Sequence, residues 1–447
     1  MLCAYQFQKL QQRQTSRRDF LRSAAVGTAA AAATALNLPR LSAAEPAATN
    51  REAKGYFGLH PFIEKNPKAV FIRRTKVPHK LHEEAKRNEG LKLAREIFVP
   101  MDGAPGIPVS HRIVLKPNVT SVRDNFRPNP ENWGTGTDPQ FYEGMVMGMK
   151  EVGLKKFTFV EANLFQAWNY RGFVDINERL GIEMNEPERR TRHFKEDFDM
   201  TWTKVHDSVV YSRIPHYAPV NDSDTWLLNI AKWKSHGMCM TLSVKNEQGL
   251  VVKPFVRFCP GWAMVTGVPD FMKPDISQNV EPRVNRYFEN HKRLGYSRYD
   301  SPAELGPIHQ EIWAHKTCDN QSTLNTGLAM IEGIYARDGD GFGVGKDYLT
   351  NLVMFSKNKF YLDMIGMYLG GHEPGNVNLF RIAKERGLTD TFNPWDVPVY
   401  EWVDGEAQPR KLTDFQRTEL VTYYLARQGE PKFHLVNERF DYDKIKT

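Results

Sequence analysis

The sequence predicts an α/β fold, in which a mainly parallel sheet is flanked by helices and carries long insertions. Strand-like runs rich in β-branched and aromatic residues alternate with segments of helical periodicity, the order that joins parallel strands through crossovers. The chain has 447 residues, of which 41% are hydrophobic and 25% charged, so it is long enough to bury a large core.

In the first half of the chain the strands and helices alternate clearly. Residues 112–119 (RIVLKPNV) predict a strand that ends at a turn signal. An Asp-Pro pair predicts the start of a helix with one apolar face at 138–153. A strand at 156–161 and a short helix at 174–180 follow, so these elements form a β-α-β unit.

The second half repeats the pattern and ends in a small extension. Residues 327–334 and 352–355 predict strands, and residues 360–369 and 380–387 predict helices. Residues 399–412 predict a β-hairpin around an Asp-Gly turn. The C-terminus is therefore interpreted as a hairpin and helix extension of the α/β domain.

Two stretches interrupt the alternation, one rich in charged and aromatic residues and the other rich in proline. Both are interpreted as insertions over one end of the sheet. The predicted parts are a signal at 1–44, a linker and N-terminal extension at 45–109, the α/β domain at 110–390 with insertions at 183–224 and 253–307, and the C-terminal extension at 391–447.

The N-terminus carries a twin-arginine export signature. Residues 16–22 (SRRDFLR) place Arg17 and Arg18 at the paired positions, an alanine-rich stretch follows at 23–38, and a small-residue cleavage site lies at 42–44. The alanine-rich stretch is shorter and less apolar than the roughly 20 residues that a membrane span requires. We expect the twin-arginine translocase as a partner, a periplasmic or secreted location, and no stable membrane span.

Charge and cysteine content exclude two classes of function. Six Lys or Arg residues and one acidic residue fall within 1–44, so the rest of the chain carries only +2 of the total net charge of +7. A nearly neutral chain does not predict nucleic-acid binding. The four cysteines, Cys3, Cys239, Cys259 and Cys318, contain no C-x-x-C pair, so no iron–sulfur cluster is expected.

Residues 232–246 (KWKSHGMCMTLSVKN) concentrate lysine and histidine around a few apolar residues. In a strand, alternate side chains share a face, so Lys232, Lys234 and His236 are expected on the same face. The run 240–246 is predicted to be a second, neighbouring strand. Cations crowded at adjacent strand ends repel one another unless an anion lies between them.

Several short blocks occur in order over roughly residues 110–390. They are Lys116-Pro117-Asn118, residues 232–236, residues 243–246 with Gly249, Glu332-Gly333 before a glycine-rich loop, and Asp363 on the next helix. Together they resemble the family catalogued as domain of unknown function 362. The resemblance implies an α/β fold with these blocks near the strand ends, and it implies no particular reaction. Some relatives carry a cysteine-rich ferredoxin segment, which this sequence lacks.

These blocks predict a pocket for a phosphate or carboxylate group at the carboxyl ends of the strands. Lysines supply positive charge there, and asparagines orient a ligand by hydrogen bonds. The candidate catalytic residues are Lys234, His236 and Lys245, and the candidate ligand-binding residues are Lys116, Asn118, Lys232 and Asn246.

The glycine-rich loop 338–346 (DGDGFGVGK) matches no phosphate- or calcium-binding motif. It lacks the residue order of a P-loop, and its glycines recur at every second position instead of the dinucleotide-binding spacing. A phenylalanine stands where an EF-hand requires a ligand. We expect a mobile backbone loop that borders the pocket.

Two alternatives use the same residues differently. In the first, Glu161, Glu332 and Asp363 pair with the lysines in an internal ion network. In the second, these carboxylates bind a divalent metal that bridges to an anionic ligand. The leading hypothesis is an exported protein that binds a small anionic ligand and acts on it as an enzyme. A non-catalytic periplasmic binding protein and a structural or assembly protein are the alternatives.

Overall fold

The computed structural model describes residues 55–103, 105–120, 133–162, 165–185, 200–252, 270–303 and 306–445. The predicted export signature with Arg17 and Arg18, the first part of the predicted linker, and parts of both predicted insertions lie outside these ranges.

Fifteen strands and ten α-helices are formed by the described residues. The strands are β1 Tyr56–Leu59, β2 Val70–Arg74, β3 Phe98–Met101, β4 Ile107–Pro108, β5 Arg112–Pro117, β6 Phe157–Val160, β7 Glu183–Asn185, β8 Met200–Lys204, β9 Arg213–Tyr217, β10 Thr225–His236, β11 Cys239–Thr241, β12 Thr326–Arg337, β13 Asp347–Ser356, β14 Val399–Val403 and β15 Glu406–Arg410. The helices are α1 Pro61–Lys65, α2 Glu83–Ile97, α3 Pro139–Glu151, α4 Phe165–Tyr170, α5 Phe173–Leu180, α6 Ser243–Asn246, α7 Val280–Arg293, α8 Pro307–Gln321, α9 Lys359–Leu369 and α10 Asn378–Glu385. None of these helices is long and apolar enough to cross a membrane.

The main sheet has ten strands and is mixed but mostly parallel. Nine strands follow the order β15-β14-β2-β13-β12-β10-β5-β6-β7, and β11 pairs with β10. Strands β12, β10, β5, β6 and β7 run parallel to one another, as do β14 and β2. Strands β13 and β15 are antiparallel to their neighbours. The sheet confirms the predicted α/β fold and brings the carboxyl ends of β5, β6, β10 and β12 to one edge.

Apolar residues cover both faces of the sheet, which is why its central strands read as nearly continuous apolar runs. On one face, Leu115 and Ile230 pack with apolar residues of α2 and α3. On the other face, Trp233 and Ile331 pack with apolar residues of α8, α9 and α10. Strand β10 lies between these two layers, so the side chains that it carries are buried along nearly its whole length.

Helix α3 begins where the sequence predicts. The Asp138 side chain caps the helix by accepting hydrogen bonds from the backbone N–H of Gln140 at 3.0 Å and of Phe141 at 3.1 Å. Pro139 occupies the first helical position, where its missing N–H is not needed. The cap fixes the start of α3 beside the carboxyl edge of the sheet.

The predicted second strand at 240–246 is wrong beyond Thr241. Strand β11 pairs with β10 and ends there, and the next residues form the short helix α6. The Asp363 carboxylate on α9 accepts hydrogen bonds from Ser243 N at 2.8 Å and Val244 N at 2.9 Å, which turns the chain into a helix. Lys245 therefore lies on a helix and not on a strand face.

The predicted C-terminal hairpin is confirmed as β14 and β15. Its turn residues, Asp404 and Gly405, both have positive φ, at 49° and 88°. A two-residue turn with this conformation matches the twist of the paired strands. Because β14 pairs in parallel with β2, the hairpin extends the main sheet.

Candidate functional site

Lys116, at the end of β5, forms a buried ion pair. Its Nζ donates to Glu161 Oε2 at 2.6 Å and to Asn246 Oδ1 at 3.1 Å. Glu161 follows β6, the strand that pairs with β5. Burial lowers the pKa of Lys116, and the negative charge of Glu161 opposes this shift. This lysine, predicted to bind ligand, has an internal carboxylate partner.

Lys232, on β10, has the same kind of partner. Its Nζ donates to Glu332 Oε2 at 2.6 Å, and both side chains are fully buried. The two residues are in register on the paired strands β10 and β12. Glu332 also accepts hydrogen bonds from Asp138 N at 3.0 Å and Ile334 N at 2.8 Å, so both of its oxygens are used within the fold.

Lys234, two residues further along β10, has no carboxylate partner among the residues that the structure describes. Its Nζ donates to Thr135 O at 2.8 Å, Gly341 O at 3.1 Å and Thr120 Oγ1 at 3.3 Å. The centre of the Phe342 ring lies 4.2 Å from the same nitrogen. These groups are all neutral and the lysine is fully buried. Lys234 is therefore a buried amine that contacts no carboxylate of the described residues.

The surroundings of Lys234 disfavour its positive charge. Burial lowers its pKa well below the ordinary value of lysine, and the charges of Lys245, Arg171 and Arg337 lower it further. Asp340 acts in the opposite direction. The hydrogen bonds fit the charged form, because three oxygen acceptors surround the nitrogen and a lysine donates three hydrogen bonds only as an ammonium. An anion that replaced one of these neutral acceptors would offset the electrostatic penalty.

Arg171, in the connection between α4 and α5, is a second buried cation that the sequence analysis missed. Its guanidinium donates to Thr135 Oγ1 and, through Nε at 3.4 Å, to Thr120 O. Burial lowers its pKa to about 10, and it forms no ion pair within the described ranges. Lys234 and Arg171 thus bind the same two threonines. The sequence feature that could have indicated Arg171 is its position in the connection after β6, because β6 ends at the same edge of the sheet.

His236 ends β10 as a neutral imidazole. Burial, followed by the charges of Lys245 and Lys234, lowers its pKa well below the ordinary value of histidine. Nδ1 accepts a hydrogen bond from Met238 N at 3.2 Å, so the ring proton lies on Nε2. The imidazole packs edge-on against the Phe342 ring, with 5.6 Å between the ring centres. Because the charges of Lys234 and Lys245 both act on His236, these three predicted catalytic residues are close enough to influence one another electrostatically.

Asn118 and Asn246 join the end of β5 to α6. Asn118 Nδ2 donates to Asn246 Oδ1 at 2.9 Å. Asn246 Nδ2 donates to Lys116 O at 3.1 Å and to Asn229 Oδ1 at 2.8 Å. Asn118 Oδ1 is buried and accepts no hydrogen bond. The two asparagines therefore fix the strand ends, and one acceptor remains unused.

The three carboxylates considered as metal ligands have different partners. Glu161 and Glu332 each pair with a separate lysine. Asp363 accepts hydrogen bonds from Ser243 and Val244, and burial nevertheless raises its pKa to about 7. Within the described ranges, no group of three or more His, Cys, Asp or Glu side chains is arranged to hold a metal ion.

The turn 133–138 (WGTGTD), called the floor turn here, supplies the backbone carbonyl that Lys234 binds. Thr137 Oγ1 donates to a carbonyl of β10 at 2.7 Å, and Gly134 N donates to Asp347 Oδ2 at 2.9 Å. The other end of the floor turn is Asp138, which caps α3. The floor turn is therefore a fixed side of the site.

The family described as "Domain of unknown function (DUF362)" matches residues 113–368. The match covers more than half of the chain and includes all of the candidate residues from Lys116 to Asp363. The chain belongs to the DUF362 family. No curated protein and no solved structure matches the chain. The resemblance inferred from the short sequence blocks is confirmed, and in this DUF362 protein two of those blocks, at Lys116 and at residues 232–236, lie at the carboxyl ends of β5 and β10.

Proposed function

We propose that this DUF362 protein is exported by the twin-arginine route and binds a small phosphate- or carboxylate-bearing ligand at Lys234. The observation that supports the proposal is a contrast between three buried lysines. Lys116 and Lys232 each have a carboxylate oxygen at 2.6 Å. Lys234 has only neutral oxygens and an aromatic ring around it in the described part of the chain.

An anion at Lys234 would offset an unfavourable arrangement of charge. Burying an uncompensated ion costs on the order of several kcal/mol, even after the protein relaxes. The planar guanidinium of Arg171 can donate to a second oxygen of the same anion. The neutral ring of His236 adds an N–H donor on Nε2. Phosphate and carboxylate groups accept hydrogen bonds from all three donors.

The enzymatic form of the proposal assigns proton transfer to Lys234 and His236. Both have pKa values well below their ordinary values, because of burial and neighbouring cations. Groups tuned in this way are common at catalytic sites. The alternative of a purely structural ion network fits Lys116 and Lys232, which have carboxylate partners, and does not explain Lys234.

The test is calorimetric titration of the purified mature chain with inorganic phosphate and with acetate. We expect Lys234→Met to weaken binding at least about tenfold, because a charge-assisted hydrogen bond is lost. The matched control is Lys92→Met, which removes the same charge from a side chain that is 53% exposed and pairs with Asp404. Equal binding by the wild type and Lys234→Met, or no binding to the wild type, would overturn the proposal.

Native mass spectrometry of the chain purified from its own export route tests for the natural ligand. We expect a mass above that of the bare mature chain by the mass of a small anion. Metal analysis of the same sample tests the alternative in which Glu161, Glu332 or Asp363 binds a divalent cation together with the anion. A bare mass without metal would contradict both the retained ligand and the metal alternative.

A further inference from the structure

Lys234 cannot receive a ligand unless one of its present contacts moves, because its side chain has no exposed surface. Two of its contacts belong to the floor-turn side of the site, at Thr135 and Thr120. The other two, the Gly341 carbonyl and the Phe342 ring, belong to the loop 338–346. This loop is called the glycine loop below.

The glycine loop is held together internally by Asp340. Its Oδ1 accepts hydrogen bonds from Phe342 N at 2.7 Å and Val344 N at 3.0 Å. The backbone N–H of Asp340 also donates to Val344 O at 2.8 Å. The tip of the loop is exposed, with 56% of the Val344 surface accessible. The tip is therefore a turn with its own internal hydrogen bonds.

Few hydrogen bonds tie the tip of the glycine loop to the rest of the described structure. Lys234 Nζ donates to Gly341 O at 3.1 Å, and Arg337 Nε donates to Phe342 O at 3.0 Å. Gly339 N donates to Val421 O at 2.8 Å, nearer the base of the loop. The floor turn, in contrast, is fixed to β10, to Asp347 and to the capped helix α3. Of the two sides of the site, the glycine loop has fewer hydrogen bonds to the rest of the described structure, so it is the side expected to move away from Lys234.

Phe342 lies against both groups that the proposed function assigns to ligand binding. Its ring centre is 4.2 Å from Lys234 Nζ and 5.6 Å from the centre of the His236 ring. The face of an aromatic ring carries partial negative charge, so it substitutes weakly for an anion beside an ammonium. The side chain is only partly buried, in contrast to the lysine that it covers.

We propose that the glycine loop is a lid, and that Phe342 and the Gly341 carbonyl hold the position that the ligand's anionic group takes on Lys234. This proposal rests on the proposed anion site. Binding exchanges a cation–π contact and one hydrogen bond to a neutral carbonyl for an ion pair. The measured affinity is then the intrinsic affinity reduced by the fraction of molecules whose lid is open.

The test compares phosphate titrations of the wild type, Phe342→Ala and Val344→Ala. We expect Phe342→Ala to bind phosphate roughly tenfold more tightly, because it removes the contact that competes with the anion. Val344→Ala is the matched control, since it changes the same loop at an exposed position and should bind as wild type. Thermal unfolding of each variant verifies that the fold is retained.

A second variant keeps the proposal falsifiable if Phe342→Ala does not fold. Phe342→Leu retains an apolar side chain but loses the aromatic face, and we expect it also to bind phosphate more tightly than the wild type. Unchanged or weaker binding by the Phe342 variants would overturn the lid, while the effect of Lys234→Met on anion binding would still support the anion site. Absence of anion binding to every chain would overturn both proposals.

Discussion

Lys232 and Lys234 lie two residues apart on β10, are both fully buried, and differ in the residue that faces them on β12. Glu332 is in register with Lys232, whereas Arg337 is in register with Lys234. Opposite charges on paired strands stabilise a sheet and like charges destabilise it. The Arg337 guanidinium instead forms an ion pair with Asp347, with 2.7 Å between Nη1 and Oδ1. Lys234 therefore does not have the Asp347 carboxylate as a partner.

The buried ion pair between Lys232 and Glu332 can be broken by removing its lysine. Lys232→Met removes one partner of a buried pair and leaves the Glu332 carboxylate without a counter-charge. We expect the free energy of unfolding to fall by about 3–5 kcal/mol. Urea denaturation of the purified chain measures this value, and Lys92→Met serves as the control for loss of a surface lysine. A decrease below about 1 kcal/mol would show that the pair is not the source of stability.

The sequence predicts that lysines cluster on β10 but not which of them is paired. Alternation along a strand depends only on local geometry, so it was sufficient to group Lys232 with Lys234. The choice of partner depends on the register of β12, about a hundred residues further along the chain. Arg171 was missed for a similar reason, because its approach to Thr135 depends on tertiary packing.

At the scale of elements, a histidine–glutamate cluster with a buried centre connects α7, α8 and α10. His291 on α7 bonds through Nδ1 to Glu311 at 2.8 Å and through Nε2 to Glu385 at 2.9 Å. His315 on α8 bonds to the same Glu311 oxygen at 2.8 Å, and Tyr299 donates to the other oxygen. Because both ring nitrogens of His291 face carboxylates, this ring is an imidazolium.

This cluster predicts a pH dependence of stability. Burial disfavours the charge of His291, but the bonds to Glu311 and Glu385 outweigh burial and raise its pKa to about 9 from 6.5. The contribution of His291 to the free energy of unfolding is therefore complete below pH 6.5 and is lost as the pH rises towards 9. For Glu311, burial is likewise outweighed by its histidine bonds, which lower its pKa to about 2 from 4.5. That contribution is lost as the pH falls from 4.5 towards 2.

The measurement is the free energy of unfolding of the wild type and of His291→Gln at pH 6 and at pH 9. We expect the wild type to be more stable than the variant at pH 6, and this difference to shrink at pH 9 as the imidazolium loses its proton. A difference that stays constant or grows between the two pH values would contradict the assignment of His291 as charged.

Elements with strong local signals could be predicted from the sequence, and α6 could not. Helix α3 has a capping aspartate and a proline at its start, and the C-terminal hairpin has an Asp-Gly turn, so both are encoded locally. The run 240–246 alternates like a strand, but Asp363 supplies the cap that makes residues 243–246 helical. That cap comes from α9, more than a hundred residues away in the chain.

At the scale of the whole molecule, the parallel strands place the blocks at Lys116 and at residues 232–236 at one edge of the sheet. Five of the parallel strands are neighbours, so the carboxyl ends of β5, β6, β10 and β12 meet although they come from distant parts of the chain. The topology of the sheet explains why blocks spread over residues 113–368 can form one site.

The proposed export route also belongs to the whole molecule. We expect Arg17→Lys combined with Arg18→Lys to retain the protein in the cytoplasm, because the twin-arginine pair is the feature that predicts this route. Cell fractionation followed by immunodetection measures the distribution, and Lys9→Arg is the control because it preserves charge outside the signature. Equal export of the double variant and the wild type would contradict the twin-arginine assignment.

The central claim is that Lys234 remains uncompensated inside the protein because it binds an anion. It is tested most directly by the free energy of unfolding of the wild type and of Lys234→Met, with and without inorganic phosphate. Without phosphate we expect the two chains to differ by less than about 1 kcal/mol, since relief of charge repulsion offsets the lost hydrogen bonds. Phosphate at ten times the wild-type dissociation constant should stabilise the wild type by about 1.4 kcal/mol and the variant by no more than about 0.4 kcal/mol. Equal stabilisation of both chains, or of neither, would contradict the claim.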